Sequence, residues 1–144
     1  DIVKSDPSAI WLTVDLGYPG TNIPAMAGAD CFNTTQTYPQ KERWTMLDES
    51  GEYEDFYNRY CHIGATLGSE TSFELLNTDY VNVTLSPEKF KELKIKYVVS
   101  RNSIDEKIVS GTVFGENQSS LPNGGIEFKK CYSGVELSIY ECIY

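Results

Sequence analysis

Tyr80-Val-Asn-Val-Thr-Leu-Ser-Pro-Glu-Lys-Phe-Lys-Glu-Leu-Lys-Ile-Lys-Tyr-Val-Val-Ser100 is the stretch that decides the fold. Its first six residues alternate, the pattern of a strand with one buried face. Ser86, Pro87 and Glu88 then supply a helix start: a hydroxyl at the N-cap, a proline at the first helical position and an acid next. The helix is only about two turns long and carries Phe90 and Leu93 inward. Lys96 to Ser100 follows at once as a second strand. A strand, a short helix and a strand in one unbroken run lay the helix across a sheet, and the class implied is α+β.

Toward the C-terminus, Ile108 to Phe114 reads as an edge strand, followed by a polar, Gly-rich connection. Ile126 to Tyr132 and Val135 to Ile143 close the chain as a hairpin, with Ser133-Gly134 as its two-residue turn. Toward the N-terminus, Ser72 to Leu76 and His62 to Leu67 read as short strands separated by Gly68-Ser69. Tyr53, Phe56, Tyr57 and Tyr60 fall at i, i+3, i+4 and i+7, one stripe of an amphipathic helix. Glu52, Glu54 and Asp55 place negative charge at the positive end of its dipole. Gln40 to Leu47 reads as a further short helix after Pro39, and Ile10 to Val14 as a strand. Residues 17 to 39, rich in Gly, Pro, Asn and Thr, read as a long irregular surface segment and hence a candidate binding edge. The expectation is one domain over residues 1–144: a mixed, mostly antiparallel sheet of five to seven strands with two or three short helices on one face.

Twelve basic against twenty-one acidic residues give a net charge of −9. That balance repels phosphate backbones, which argues against nucleic-acid binding, and no basic run would attract an anionic membrane surface. No apolar run approaches the roughly 18 residues of a membrane span. The abrupt start at Asp1 and the strand-like end at Tyr140-Glu-Cys-Ile-Tyr144 read as those of an excised piece whose anchor lies elsewhere.

Cys31, Cys61, Cys131 and Cys142 are separated by 30, 70 and 11 positions. No CxxC spacing is present, and the single histidine, His62, completes no zinc site, so neither metal nor cofactor is expected. Four cysteines allow two disulfides or four buried thiols; if a bridge forms, Cys31 with Cys61 is the first expectation. Asn33, Asn82 and Asn117 each begin an Asn-x-Ser/Thr acceptor pattern.

Signatures of catalysis are missing. There is no Gly-x-Ser-x-Gly, no phosphate-binding glycine loop and no calcium loop. The acidic run Asp48, Glu49, Glu52, Glu54 and Asp55 reads as a solvated helix start rather than a pair of opposed catalytic carboxylates. No residue is therefore assigned as catalytic. Candidate ligand contacts are Trp44 as a stacking face, with Asn22, Asn33 and Gln36 as hydrogen-bonding neighbours, and Asn58, Arg59 and His62 around Cys61. Arg59 and His62 read more readily as a basic helix end capping free carbonyls.

Leu93-Lys-Ile-Lys-Tyr-Val-Val-Ser100, a variable stretch, and Val135-Glu-Leu-Ser-Ile-Tyr-Glu141 together resemble the end of large bacterial membrane proteins of the GT-C glycosyltransferase type. In those proteins a helix leads into a similar Lys-Tyr-(Val/Ile)-(Val/Leu)-Ser strand, and a closing strand carries Ile-Tyr-Glu. Tyr57-Asn-Arg-Tyr-Cys-His-Ile63 and Tyr38-Pro39, Trp44 and Leu47-Asp48 are similar to blocks of the same extracytoplasmic region; Cys61 stands where a small residue is usual. The resemblance implies a parent that moves sugars from polyprenyl-phosphate carriers onto envelope polymers, with its catalytic acids in loops outside this chain. It implies a non-catalytic domain on the extracytoplasmic face of the cell membrane. Its partners would be the membrane-embedded remainder of its own chain and an envelope glycan or polyprenyl-linked sugar. The alternatives are a secreted carbohydrate-binding or adhesion module, and a small hydrolase relying on His62.

Overall fold

The computed structural model describes residues 1–101, 104–116 and 121–144. In chain order the elements are α1 (Ile2–Ser5), β1 (Ile10–Val14), α2 (Ile23–Met26), β2 (Asp30–Cys31), β3 (Thr35–Gln36), α3 (Lys41–Leu47) and α4 (Glu54–Tyr57). After these come β4 (Cys61–Leu67), β5 (Ser72–Asn77), β6 (Tyr80–Leu85), α5 (Pro87–Glu92), β7 (Ile95–Ser100), α6 (Ile104–Ser110), β8 (Glu127–Ser133) and β9 (Ser138–Ile143). The α+β class holds, with strands and short helices in one domain. Antiparallel pairings (β3–β4, β5–β6, β7–β9, β8–β9) outnumber parallel ones (β1–β2, β1–β7, β4–β6).

The strands divide into two sheets rather than one, ordered β2-β1-β7-β9-β8 and β3-β4-β6-β5. The deciding segment explains the division. Ser86 caps α5, its Oγ accepting from the Lys89 N–H at 3.3 Å. The helix carries the chain from β6 in the smaller sheet to β7 in the larger, so it links two sheets instead of crossing one. A shared core fills the space between: Ile63, Ala65, Val81, Val83 and Leu85 from one sheet meet Leu12, Val14, Val98, Tyr140 and Cys142 from the other, with Phe90 of α5 and Leu93 at its C-cap among them. Each fully buried aliphatic side chain stabilises by about 1.5–3 kcal/mol relative to exposure. A second cluster, Trp11, Tyr97 and Val99 under α1 and α2, covers part of the larger sheet's other face.

Four local expectations are corrected. Ile108 to Phe114 forms no strand; Ile104–Ser110 is helical instead. Gly111 at φ 72° ends that helix, and Thr112 N–H reaches back to the Lys107 carbonyl at 2.8 Å. A glycine in the left-handed region just past a helix is a strong stop. The β8–β9 connection spans residues 134–137 rather than two, with Gly134 N–H donating to Leu137 O at 2.8 Å. The aromatic stripe forms only the one turn α4, because the Gln36 amide takes the carbonyls of Tyr57 and Arg59 and draws the chain out into β4. Residues 17 to 39 are not irregular throughout: they hold α2, β2 and β3.

Candidate functional site

Residues alternate across a strand, so each face of the smaller sheet can be read from its registers. Cys61, Ile63, Ala65, Val81, Val83 and Phe73 face the core. The opposite face carries rows set by the pairing: Thr35, His62 and Tyr80; then Gly64, Asn82 and Glu74; then Thr66, Thr84 and Ser72. It is a polar, half-buried surface of hydroxyls and amides. Thr66 and Thr84 share a hydrogen bond at 2.9 Å, and the Asn82 amide donates to Thr66 Oγ1 at 3.2 Å. Gly64 lets the Tyr80 side chain lie across the face: a Cβ there would sit 2.7 Å from the Tyr80 hydroxyl.

One end of this face is aromatic. The Tyr18 ring lies over the His62 imidazole with centroids 4.0 Å apart, and Tyr60 meets the same imidazole edge-on at 5.5 Å. Both tyrosines are exposed, at 55% and 53%. Behind the imidazole runs a hydrogen-bonded row. Asn22 Oδ1 accepts from Thr34 Oγ1 at 2.7 Å and from the Thr35 backbone N–H at 2.9 Å; Asn22 Nδ2 donates to Thr35 Oγ1 at 3.1 Å. Thr35 Oγ1 is 2.8 Å from His62 Nδ1. On the ring's other side, Asp79 Oδ2 stands 4.0 Å from Nε2, and the Asp79 carbonyl accepts the His62 backbone N–H at 2.7 Å. Aromatic faces bordered by a few fixed polar groups, with carboxylates Glu74 and Asp79 beside them, suit a neutral, hydroxyl-rich ligand and disfavour an anion.

The residues singled out from the sequence are dispersed. His62 and Asn22 belong to the site just described. Trp44 does not: it is 3% exposed, with Tyr57 stacked on it at 4.3 Å and Phe32 tilted against it at 6.0 Å. Its Nε1 donates to Gln36 Oε1 at 3.0 Å. With its ring covered and its N–H satisfied, Trp44 is a core residue and no stacking platform for a sugar. Asn58, exposed, reaches back to Glu54 Oε1 at 3.1 Å and shares with Trp44 a cleft of 270 Å³ between α3 and α4. Arg59 is exposed and its Nε donates to the Phe56 carbonyl at 3.2 Å, closing the α4 end.

Asn33 is a lock rather than a contact. Completely buried, its amide bonds Thr13 three times: to the backbone N–H at 2.8 Å, the carbonyl at 2.7 Å and Oγ1 at 2.8 Å. Its acceptor pattern is therefore closed to glycosylation in the folded chain, and Asn82 sits mid-strand on β6; Asn117 lies outside the described residues. The Cys31–Cys61 bridge does not form. All four cysteines are thiols, Cys31 in the larger sheet and Cys61 in the smaller, where its sulfur lies 3.3 Å from the Gln36 amide nitrogen. Burial pushes the Cys31 thiol up to about 12 and raises that of Cys61, so neither is a thiolate at neutral pH.

Sequence reasoning passed over Tyr18, Thr35 and Asp79, and read Asn82 only as a glycosylation acceptor pattern. The alternation of β6 already placed Tyr80, Asn82 and Thr84 on a polar face, but Tyr18 and Asp79 reach His62 only through tertiary folding. Among the described residues no group of three or more His, Cys, Asp or Glu side chains is placed to hold a metal ion, and no helix is long and apolar enough to cross a membrane. No curated protein and no solved structure matches the chain. A family model matches it over residues 1–144, and the chain belongs to that family, DUF7654, a domain of unknown function.

Proposed function

We propose that the domain is a non-catalytic glycan-holding module, the extracytoplasmic part of a glycosyltransferase-like membrane protein of the bacterial cell envelope. The observation that carries the binding half of this reading is the polar outer face of the four-stranded sheet, with exposed Tyr18 and Tyr60 packed around His62 at one end. Sugar rings offer an apolar C–H face and a rim of hydroxyls, which such a surface answers with aromatic faces and with Thr, Asn and carboxylate groups. The acidic balance favours the sugar end of a polyprenyl-linked donor, or an uncharged stretch of envelope glycan, over a phosphate. The membrane half rests on the resemblance of the Leu93–Ser100 and Val135–Glu141 segments to the GT-C type.

Saturation-transfer NMR against a panel of neutral envelope sugars tests the binding half. Signal is expected for the wild type and is lost in Tyr18→Ala and Tyr60→Ala, whose exposed side chains leave the core intact. Absence of transfer from every sugar, or transfer untouched by both variants, contradicts it. The coding region tests the membrane half: several hydrophobic spans in the same reading frame are expected, and none would contradict it.

A further inference from the structure

We infer that His62 and Asp79 form a receptor for a single sugar hydroxyl, its direction set by Asn22 and Thr35; this rests on the glycan-holding reading above. The proton order can be followed from one fixed point. A backbone N–H can only donate, so the atom of Asn22 that meets the Thr35 N–H at 2.9 Å is the carbonyl oxygen. The other end of that amide is then the NH₂ group, and at 3.1 Å it donates to Thr35 Oγ1. In the inferred order the Thr35 hydroxyl, which has one proton and two lone pairs, gives that proton to His62 Nδ1, 2.8 Å away. With that order the neutral ring accepts at Nδ1 and carries its proton on Nε2.

That N–H faces the Asp79 carboxylate across 4.0 Å, which is too long for a direct hydrogen bond. An oxygen standing beside the pair, rather than between its two atoms, reaches both. Placed about 2.8 Å from both atoms, that oxygen sees them at an angle of about 90°, so it can accept from Nε2–H and donate its proton to the carboxylate. A hydroxyl, which is donor and acceptor at once, satisfies both groups; an ether oxygen or an anion satisfies only one. The Tyr18 ring over the imidazole and Tyr60 at its edge shape the surroundings of that oxygen. The pair therefore takes a hydroxyl-type oxygen, which on the glycan-holding reading is a free hydroxyl of a neutral sugar displacing water.

Because His62 is the chain's one histidine, its ring nitrogens can be read without assignment ambiguity in a long-range ¹H–¹⁵N spectrum. The expected result in the unliganded domain is the Nε2–H tautomer, with loss of that preference in Thr35→Val and its return in Thr35→Ser. Titration then uses methyl glycosides of glucose, galactose and mannose, and N-acetylglucosamine. Asp79→Ala, which keeps the backbone bond to His62, is expected to weaken the best of these about tenfold, in line with loss of a charged hydrogen-bond partner. An Nδ1–H tautomer overturns the inference, as does sugar binding that Asp79→Ala leaves within about twofold. Binding elsewhere on the sheet face with these residues indifferent sinks only this hydroxyl site. No binding of any probe sinks the glycan-holding reading with it.

Discussion

At the residue scale, single side chains here act as rivets between distant segments. Gln36 ties four groups together: its carbonyl oxygen accepts from the Trp44 indole, and its two amide protons are shared among the carbonyls of Tyr57 and Arg59 and the Cys61 sulfur. Asn33 does the same for β1 through Thr13. A buried polar group deprived of its partner costs about 1–3 kcal/mol. Asn33→Ala strips Thr13 of several bonds and is expected to lower unfolding free energy by about 2–4 kcal/mol in a urea titration; a loss below about 0.5 kcal/mol would contradict the lock. Neither role was legible in the sequence, which offered Asn33 and Gln36 as ligand contacts. An amide looks the same in a row of letters whether it faces solvent or a buried backbone. The same blindness made Trp44 a stacking candidate, although its neighbour in space is Tyr57.

At the element scale, legibility followed the strength of the local signal. The β6 strand emerged at its observed bounds, Tyr80 to Leu85, and Ser86-Pro87 marked the start of α5, because alternation and capping are properties of adjacent residues. The stripe Tyr53-Phe56-Tyr57-Tyr60 misled because its helical spacing is real only until Gln36 captures the carbonyls. What stabilises that corner instead is Asp48, whose carboxylate accepts from the Tyr53 N–H at 2.9 Å and the Tyr57 hydroxyl at 3.1 Å. Burial, followed by the hydrogen bond and charge of Asp48, pushes the Tyr57 hydroxyl up to about 12 from its ordinary value of 10. The unfolded chain gives up this proton first, so the contribution is complete below pH 10 and is lost as pH rises toward 12. Tyr57→Phe is expected to be less stable at neutral pH but to show a flatter decline from pH 10 to 12, followed by circular dichroism; an unchanged alkaline slope would contradict the assignment.

At the scale of the whole molecule, composition and pattern gave the α+β class, while the division into two sheets was hidden. Which strands pair depends on contacts far apart in sequence, such as β1 with β7 and β4 with β6. That division matters, because it turns one sheet's outer face away from the shared core and leaves a polar surface with tyrosines at one end. The binding role assigned to that surface is tested most directly by mapping backbone amide shifts during titration with a neutral envelope oligosaccharide. The account predicts saturable shifts clustered at Thr35, His62, Thr66, Tyr80 and Asn82. Shifts confined to the cleft beside Trp44 and Asn58, or none at all, would contradict it.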